Sequence, residues 1–288
     1  MKHPICDPHL HFFELNKGEY LWLRDENPPY WPRKSALRVQ TLERDLSQFD
    51  SIELQGYVHI EAGFNNQEPL QEIIWLQGHC KKPMRSIAYL DLRQENADFE
   101  SLLVNMLEYP SFIGIRHIVD EELSSAMMAS DKVKRNLLSL SAKGLVFELQ
   151  LDLREQLTFD ALIDVLSCVP NMPISINHAG FAPLNDDGCQ VWRRNLAVLA
   201  ELPCCYVKVS GLEMQKPHFG RADLIRVLLD CVHTFGQERV MLASNFPVLK
   251  LACGYQAYWE QAIEVCKVLD LDSQALACDN AKRFYLLP

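Results

Sequence analysis

Short apolar runs rich in β-branched residues alternate with longer stretches of helical periodicity along the whole chain. Short, continuously apolar or alternating runs are typical of strands, and apolar residues spaced by three and four positions are typical of helices. The pattern predicts strands at Ile5–His9, Gln55–Glu61, Arg85–Leu90, Phe112–Ile118, Leu145–Leu149, Ile174–Asn177, Tyr206–Val209 and Val240–Leu242.

Helical periodicity fills the stretches between these strands, and a last helix is expected at about Ser273–Phe284. Strands that alternate with helices are typical of a parallel sheet. Eight such units without a glycine-rich first turn favour an α/β fold of the closed (β/α)8 TIM barrel type over a doubly wound sheet. The helical segments are Leu70–Cys80, Asp131–Ala142, Leu157–Leu166, Leu196–Leu202, Leu224–Phe235 and Tyr255–Leu269.

The chain has no linker-like or low-complexity segment, so we expect residues 1–288 to form one barrel domain. The longest irregular segment, 14–38, follows the first strand. It is rich in tryptophan and proline, which is typical of a loop that covers the active-site face, although a structural wrap around the barrel is the alternative. Its characteristic residues are Trp22, Pro28, Pro29, Trp31 and Pro32.

The composition of the chain indicates which kinds of molecule the protein binds. The formal net charge of −10 and a single dense basic stretch at 132–135 disfavour nucleic acid. The start of the chain lacks the apolar core of a secretory signal, and no run of about 18 apolar residues predicts a membrane span. We therefore expect a cytoplasmic protein with a small-molecule substrate and ten reduced cysteines, and the sequence leaves open whether copies assemble into a homo-oligomer.

The sharpest local signal is Asp7-Pro8-His9-Leu10-His11 at the end of the first predicted strand. A strand repeats every two residues, so Asp7, His9 and His11 share one face. Other polar residues recur at the ends of later strands, where a barrel core alone would prefer apolar side chains, and this predicts one convergent site. They are His59, Glu61, Arg116, His117, Glu148, Gln150, Asn177, His178, Lys208, Ser210, Ser244 and Asn245.

Several motifs together resemble the amidohydrolase-2 type of metal-dependent hydrolases, and especially the lactonase branch that opens 2-pyrone-4,6-dicarboxylate, fuconate and rhamnonate lactones. The resemblance spans nearly the whole chain. The motifs that carry it are 6–12 (CDPHLHF), 20–23 (YLWL), 114–117 (GIRH), 177–180 (NHAG), 207–212 (VKVSGL), 241–248 (MLASNFPV) and 279–285 (DNAKRFY).

The resemblance implies a barrel in which the histidines of strands one and six and an acid after strand eight surround a scissile carbonyl. It places His9 and His11, with His178 as a third candidate, at a site for at most one zinc or other divalent metal. Because the branch includes metal-free members, the resemblance leaves metal occupancy open.

The chain departs from the family pattern at two carboxylates. Asn245 stands where the family has an aspartate, and Asn177 stands before the strand-six histidine where an aspartate is usual. An amide cannot accept a proton as a general base does. Three explanations stay open: His178, Glu61 or Asp7 serves as the base, the site binds without turnover, or the chemistry needs a neutral donor at Asn245.

We therefore expect a hydrolase that opens a small carboxylated or sugar-acid lactone by water attack at the carbonyl. His178, Asn245 and Glu61 are the catalytic candidates, and Arg116, His117, Gln150 and Lys208 are the substrate-binding candidates. Arg116 and Lys208 would hold a carboxylate, or alternatively neutralise neighbouring acids of the protein. The alternatives are a zinc-dependent non-oxidative decarboxylase and a catalytically impaired ligand-binding barrel.

Overall fold

Eight parallel strands follow one another in chain order around a barrel in the computed structural model, which describes residues 2–47, 49–119 and 124–287. The predicted (β/α)8 barrel is confirmed. The strands are β1 (His3–Leu10), β2 (Ile52–Ile60), β3 (Met84–Tyr89), β4 (Phe112–Ile118), β5 (Val146–Gln150), β6 (Ile174–Ile176), β7 (Cys205–Val209) and β8 (Val240–Leu242).

The barrel is closed by the residues that follow β8 and not by β8 itself. The Asn245 amide donates to the His9 carbonyl (2.9 Å), and the His11 amide donates to the Phe246 carbonyl (2.7 Å). Below these bonds, the Asp7 carboxylate accepts hydrogen bonds from the Ser244 amide (3.1 Å) and the Tyr255 hydroxyl (3.0 Å). Asp7 therefore joins the first strand to the end of the last one.

Helices pack around the strands and cover their outer faces. They are α1 (Leu70–His79), α2 (Asn96–Met106), α3 (Ser124–Met128), α4 (Asp131–Ala142), α5 (Gln156–Leu166), α6 (Cys189–Ala200), α7 (Leu212–Gln215), α8 (Arg221–Phe235), α9 (Tyr255–Val268) and α10 (Asn280–Tyr285). In the described ranges, none of them combines the length and the apolar character that crossing a bilayer requires.

The irregular segment 14–38 and the rest of the first connection contain only short 3-10 turns in their described residues, because prolines remove backbone donors and clash with a preceding helical turn. Helices α3 and α7 were not predicted, and α6 begins at Cys189 instead of Leu196. Helix α2 was not predicted, although Phe99, Leu103 and Met106 lie on its buried face.

The buried surfaces of strands and helices form the core, and polar side chains interrupt it at the carboxyl ends of the strands. All ten cysteines are free thiols. The end of the barrel at which these polar side chains gather is therefore the place to look for chemistry.

Candidate functional site

The end of β1 carries two histidines into the interior of the barrel. His9 is fully buried, and neither of its ring nitrogens has a hydrogen-bond partner in the described part of the chain. The His11 Nδ1 lies 2.8 Å from the Ile60 carbonyl, which can only accept, so Nδ1 carries the proton and Nε2 carries the lone pair. The two rings lie edge to face, with centroids 5.1 Å apart.

His178 joins this pair from the turn after β6. Its ring centroid lies 4.6 Å from that of His9, although the two residues are far apart in sequence. Its backbone adopts the left-handed conformation (φ 54°), which turns the side chain into the barrel and which non-glycine residues rarely adopt. The His178 Nδ1 lies 3.0 Å from the Ser210 hydroxyl, and this contact holds the ring. The three predicted imidazoles therefore meet.

Gly211 makes room for the His178 ring. A Cβ at this position would lie 2.5 Å from the His178 Nδ1, and the glycine has a φ of 71° that side chains rarely adopt. The residue after Ser210 must therefore be small and left-handed for His178 to keep its place.

Burial keeps all three imidazoles uncharged. It lowers the pKa of His9 and His178 well below the usual range, and nearby positive charge at Arg116 and Lys208 acts in the same direction. The pKa of His11 is lowered to about 3 by burial and by Arg116, against hydrogen bonds that favour the charged form. At neutral pH each ring thus has a lone pair available as a base or a ligand.

A cavity of about 460 Å³ opens beside the histidines at the carboxyl ends of the strands. His11 and His178 line it, whereas His9 lies behind them. The predicted covering segment contributes part of the wall, through Trp22, Pro28, Pro29 and Trp31. The other lining residues are Glu61, Ala62, Gly63, Asn66, Tyr89, Arg93, Arg116, His117, Ile118, Gln150, Phe181, Met214, Asn245 and Val248.

Arg116 is fixed on the cavity wall by two predicted site residues. Its Nε and Nη2 atoms lie 2.8 and 2.6 Å from the Glu61 Oε1, and its Nη1 donates to the Gln150 Oε1 at 2.9 Å. The other Glu61 oxygen accepts from the Gly63 amide (3.1 Å). The structure thus places Glu61 as the partner that holds Arg116, with its oxygens already engaged.

Two predicted substrate-binding residues occupy different positions. His117 lines the cavity, and its Nδ1 lies 3.7 Å from the Asp91 Oδ1. Lys208 is fully buried and does not line the cavity. Its Nζ lies 2.7 Å from the Glu148 Oε2. Of the two roles that the sequence left open for Lys208, it therefore has that of neutralising a protein acid.

Asn245 reaches the cavity from the turn after β8, with a left-handed backbone (φ 56°) that asparagine tolerates better than most residues. Its Nδ2 donates to the Glu213 Oε1 at 2.6 Å. Glu213 is only 3% exposed, and burial raises its pKa to about 7. Asp7 is buried, and its carboxylate accepts hydrogen bonds from Ser244 and Tyr255. Asn177 is also buried and does not line the cavity.

The histidines meet only part of what a metal ion requires. The two unpartnered nitrogens of His9 would suit a ligand role. Across residues 2–47, 49–119 and 124–287, however, no three His, Cys, Asp or Glu side chains are arranged to hold a metal ion, and the position after β8 offers an amide. The described side chains as arranged do not fit a divalent metal.

Several residues of the site were not predicted from the sequence. Glu213 follows β7 in a short helix and has no distinguishing pattern, because an acid in that position usually faces solvent. Arg93 and Phe181 line the cavity from loops after β3 and β6. Only the prediction that loops at this end of the barrel carry function pointed to such residues.

Comparison with known proteins gives full-length matches. The chain is 28% identical to the uncharacterized protein y4mH of Sinorhizobium fredii (98% of each chain). It is 22% identical to L-fucono-1,5-lactonase of Burkholderia ambifaria (95% of each) and 22% identical to L-rhamnono-gamma-lactonase of Scheffersomyces stipitis (99% and 96%).

Among solved structures, a zinc-bound amidohydrolase from Burkholderia multivorans superposes with a TM-score of 0.81 at 20% identity over 99% of both chains, which shows the shared fold. The family model described as amidohydrolase matches residues 6–287, nearly the full length. This chain, a hydrolase, therefore belongs to the amidohydrolase family.

Proposed function

We propose that this protein opens a small carboxylated or sugar-acid lactone by attack of water on the ring carbonyl. The observation that carries the proposal is the cluster of uncharged imidazoles beside a cavity whose wall also presents the Arg116 guanidinium. Two full-length relatives named as lactonases support the same reaction class.

His178 is the proposed general base. In the tautomer whose Nδ1 donates to the Ser210 hydroxyl, Nε2 carries the lone pair that takes a proton from water. The water oxygen forms a bond to the carbonyl carbon, and the carbonyl oxygen gains negative charge. The ring carbon–oxygen bond then breaks, and the leaving alkoxide takes the proton back from His178. The product is a hydroxy acid, so atoms and charges balance.

Arg116 is the proposed electrostatic partner of the substrate. It faces the charge that develops on the carbonyl oxygen and a carboxylate of substrate or product, while Glu61 and Gln150 keep its fork in place. Among the described residues that line the cavity, the charged ones are Arg93, Arg116 and Glu61, and Arg93 also pairs with the Asp91 carboxylate (2.9 Å). The Arg116 guanidinium supports an anionic ligand, and the tryptophans of the covering segment suit the apolar face of its ring.

The test is a panel of sugar-acid and carboxylated lactones, followed by acid release. His178→Asn should lower kcat/KM by about 10²–10⁴-fold, the usual contribution of a general base. His233→Asn removes an exposed histidine of α8 and serves as the control with unchanged activity. Equal activity of His178→Asn and the control would contradict the role of His178.

Two other outcomes would contradict lactone hydrolysis itself. Release of carbon dioxide from a hydroxylated aromatic acid, with no lactone opened, would indicate a decarboxylase. Tight binding of a sugar acid by a protein that opens no lactone would indicate a ligand-binding barrel, as Asn245 and Asn177 suggested from the sequence.

A further inference from the structure

After strand eight the site has the amide of Asn245, and the carboxyl group of Glu213 lies directly behind this amide. The Asn245 Nδ2 donates to the Glu213 Oε1 at 2.6 Å, which is short for a nitrogen donor. Asn245 lines the cavity, whereas Glu213 does not. The two side chains thus form a buried pair with the amide on the substrate side.

This contact decides which way the amide points. A carboxylate has only acceptor atoms, so the nitrogen of Asn245 must face Glu213 and the oxygen must face away from it. Asn245 lines the cavity in front of Glu213 and also forms a side-chain hydrogen bond with His11, so its oxygen lies on the His11 side of the pair. The oxygen has a second lone pair that can accept a hydrogen bond from water, as an aspartate would.

Burial of Glu213 destabilises the folded protein, so a purely structural role would not favour an acid at this position. It is 3% exposed, and no Lys, Arg or His side chain of the described ranges forms an ion pair with it. A buried acid without a cation costs stability, and a neutral residue would fill the same space at lower cost.

We propose that Glu213 is a positioning residue for hydrolysis, which holds the Asn245 amide so that its oxygen accepts a hydrogen of the attacking water. The water is oriented by Asn245 and loses its other hydrogen to His178, while Glu213 keeps its own position and takes no proton. The carboxyl group found after strand eight in the family pattern lies one hydrogen bond further back in this chain. The inference rests on the proposed lactone hydrolysis.

The test removes the carboxyl group of Glu213 and then exchanges it with the amide of Asn245. Glu213→Leu removes the acceptor and should lower kcat by about 10–100-fold while KM changes by less than about threefold, because only the orientation of water is lost. Glu201→Leu, at an exposed glutamate, is the matched control. Asn245→Asp alone should lower kcat and reduce the Tm by about 5 °C, because two acids would meet in a buried site.

The double variant Asn245→Asp/Glu213→Gln restores the hydrogen bond with its polarity reversed. It should recover the Tm and bring kcat to within about threefold of the parent, since a carboxylate then faces the water and an amide holds it. A merely structural role for Glu213 predicts recovery of the Tm without recovery of kcat, and that result would overturn the proposal. Equal kcat of Glu213→Leu and the parent would also overturn it.

Failure of the proposed function and failure of the inference have different signatures. If the parent opens no lactone of the panel, the proposed function is contradicted. The Tm values of the parent, Asn245→Asp, Glu213→Gln and the double variant still decide whether Glu213 holds Asn245. Additive changes in Tm, with no recovery in the double variant, would show that the pair does not interact and would overturn the inference on their own.

Discussion

At the residue scale, the protein keeps three imidazoles uncharged beside an arginine. Burial is the main cause of the lowered pKa values of His9 and His178, and the positive charges of Arg116 and Lys208 add to it. A base with a lowered pKa is weaker, but it stays unprotonated over a wide pH range. The carboxyl group of Glu213 shows the opposite effect of the same burial, which raises its pKa.

Glu61 gives a prediction that separates the candidate bases. Because its oxygens are engaged by Arg116 and the Gly63 amide, Glu61→Gln should lower kcat by less than about tenfold, far below the usual loss of about 10²–10⁴-fold for a general base. Steady-state kinetics beside His178→Asn measure the difference. Complete loss of turnover in a folded Glu61→Gln protein would make Glu61 the base in place of His178.

The pKa of Glu213 gives a prediction about stability. Burial raises it from the ordinary value of 4.5 to about 7, so between these values the folded protein holds a proton that the unfolded chain releases. The free energy of unfolding should therefore fall as the pH rises from 4.5 to 7, by about 3 kcal/mol at 1.36 kcal/mol per pKa unit.

Urea titrations at pH 5 and pH 8 measure this fall. Glu213→Gln removes the titrating group, so its decrease in unfolding free energy should be smaller than that of the parent by about 3 kcal/mol. A parallel decrease in both proteins would show that Glu213 is hydrated in the folded state.

At the scale of elements, the site depends on turns at the ends of strands. Short apolar runs predicted the strands, and the two-residue repeat led us to expect His9 and His11 together, and their ring centroids lie 5.1 Å apart. The left-handed turn at His178 and the pairing of Glu213 with Asn245 were not predictable. Both depend on contacts between turns that follow different strands, and sequence periodicity carries no information on them.

Gly211 gives a prediction at this scale. Gly211→Ala places a Cβ 2.5 Å from the His178 Nδ1, so the ring must move, and kcat should fall by at least about tenfold. Gly144→Ala is the matched control, because Gly144 has a similar positive φ (66°) and open space around it. Both variants bear the same backbone strain, but only Gly211→Ala should lose activity in kinetic assays. Equal activity of the two variants would show that the His178 ring does not depend on Gly211.

At the scale of the whole molecule, the order of strands and the closure of the barrel bring residues 9, 11, 178 and 245 to one end. The sequence predicted this end as the site because polar residues followed most strands. It left open whether Lys208 binds substrate or neutralises a protein acid. Only the register of β5, β6 and β7 shows that Lys208 pairs with Glu148.

The most direct test of the account is hydrolysis of a lactone in water enriched in ¹⁸O, with the product examined by mass spectrometry. Water attack at the carbonyl predicts one ¹⁸O atom in the carboxyl group of the hydroxy acid, formed rapidly by the parent and slowly by His178→Asn. Incorporation into the alcohol group, or equal rates for the two proteins, would contradict the account.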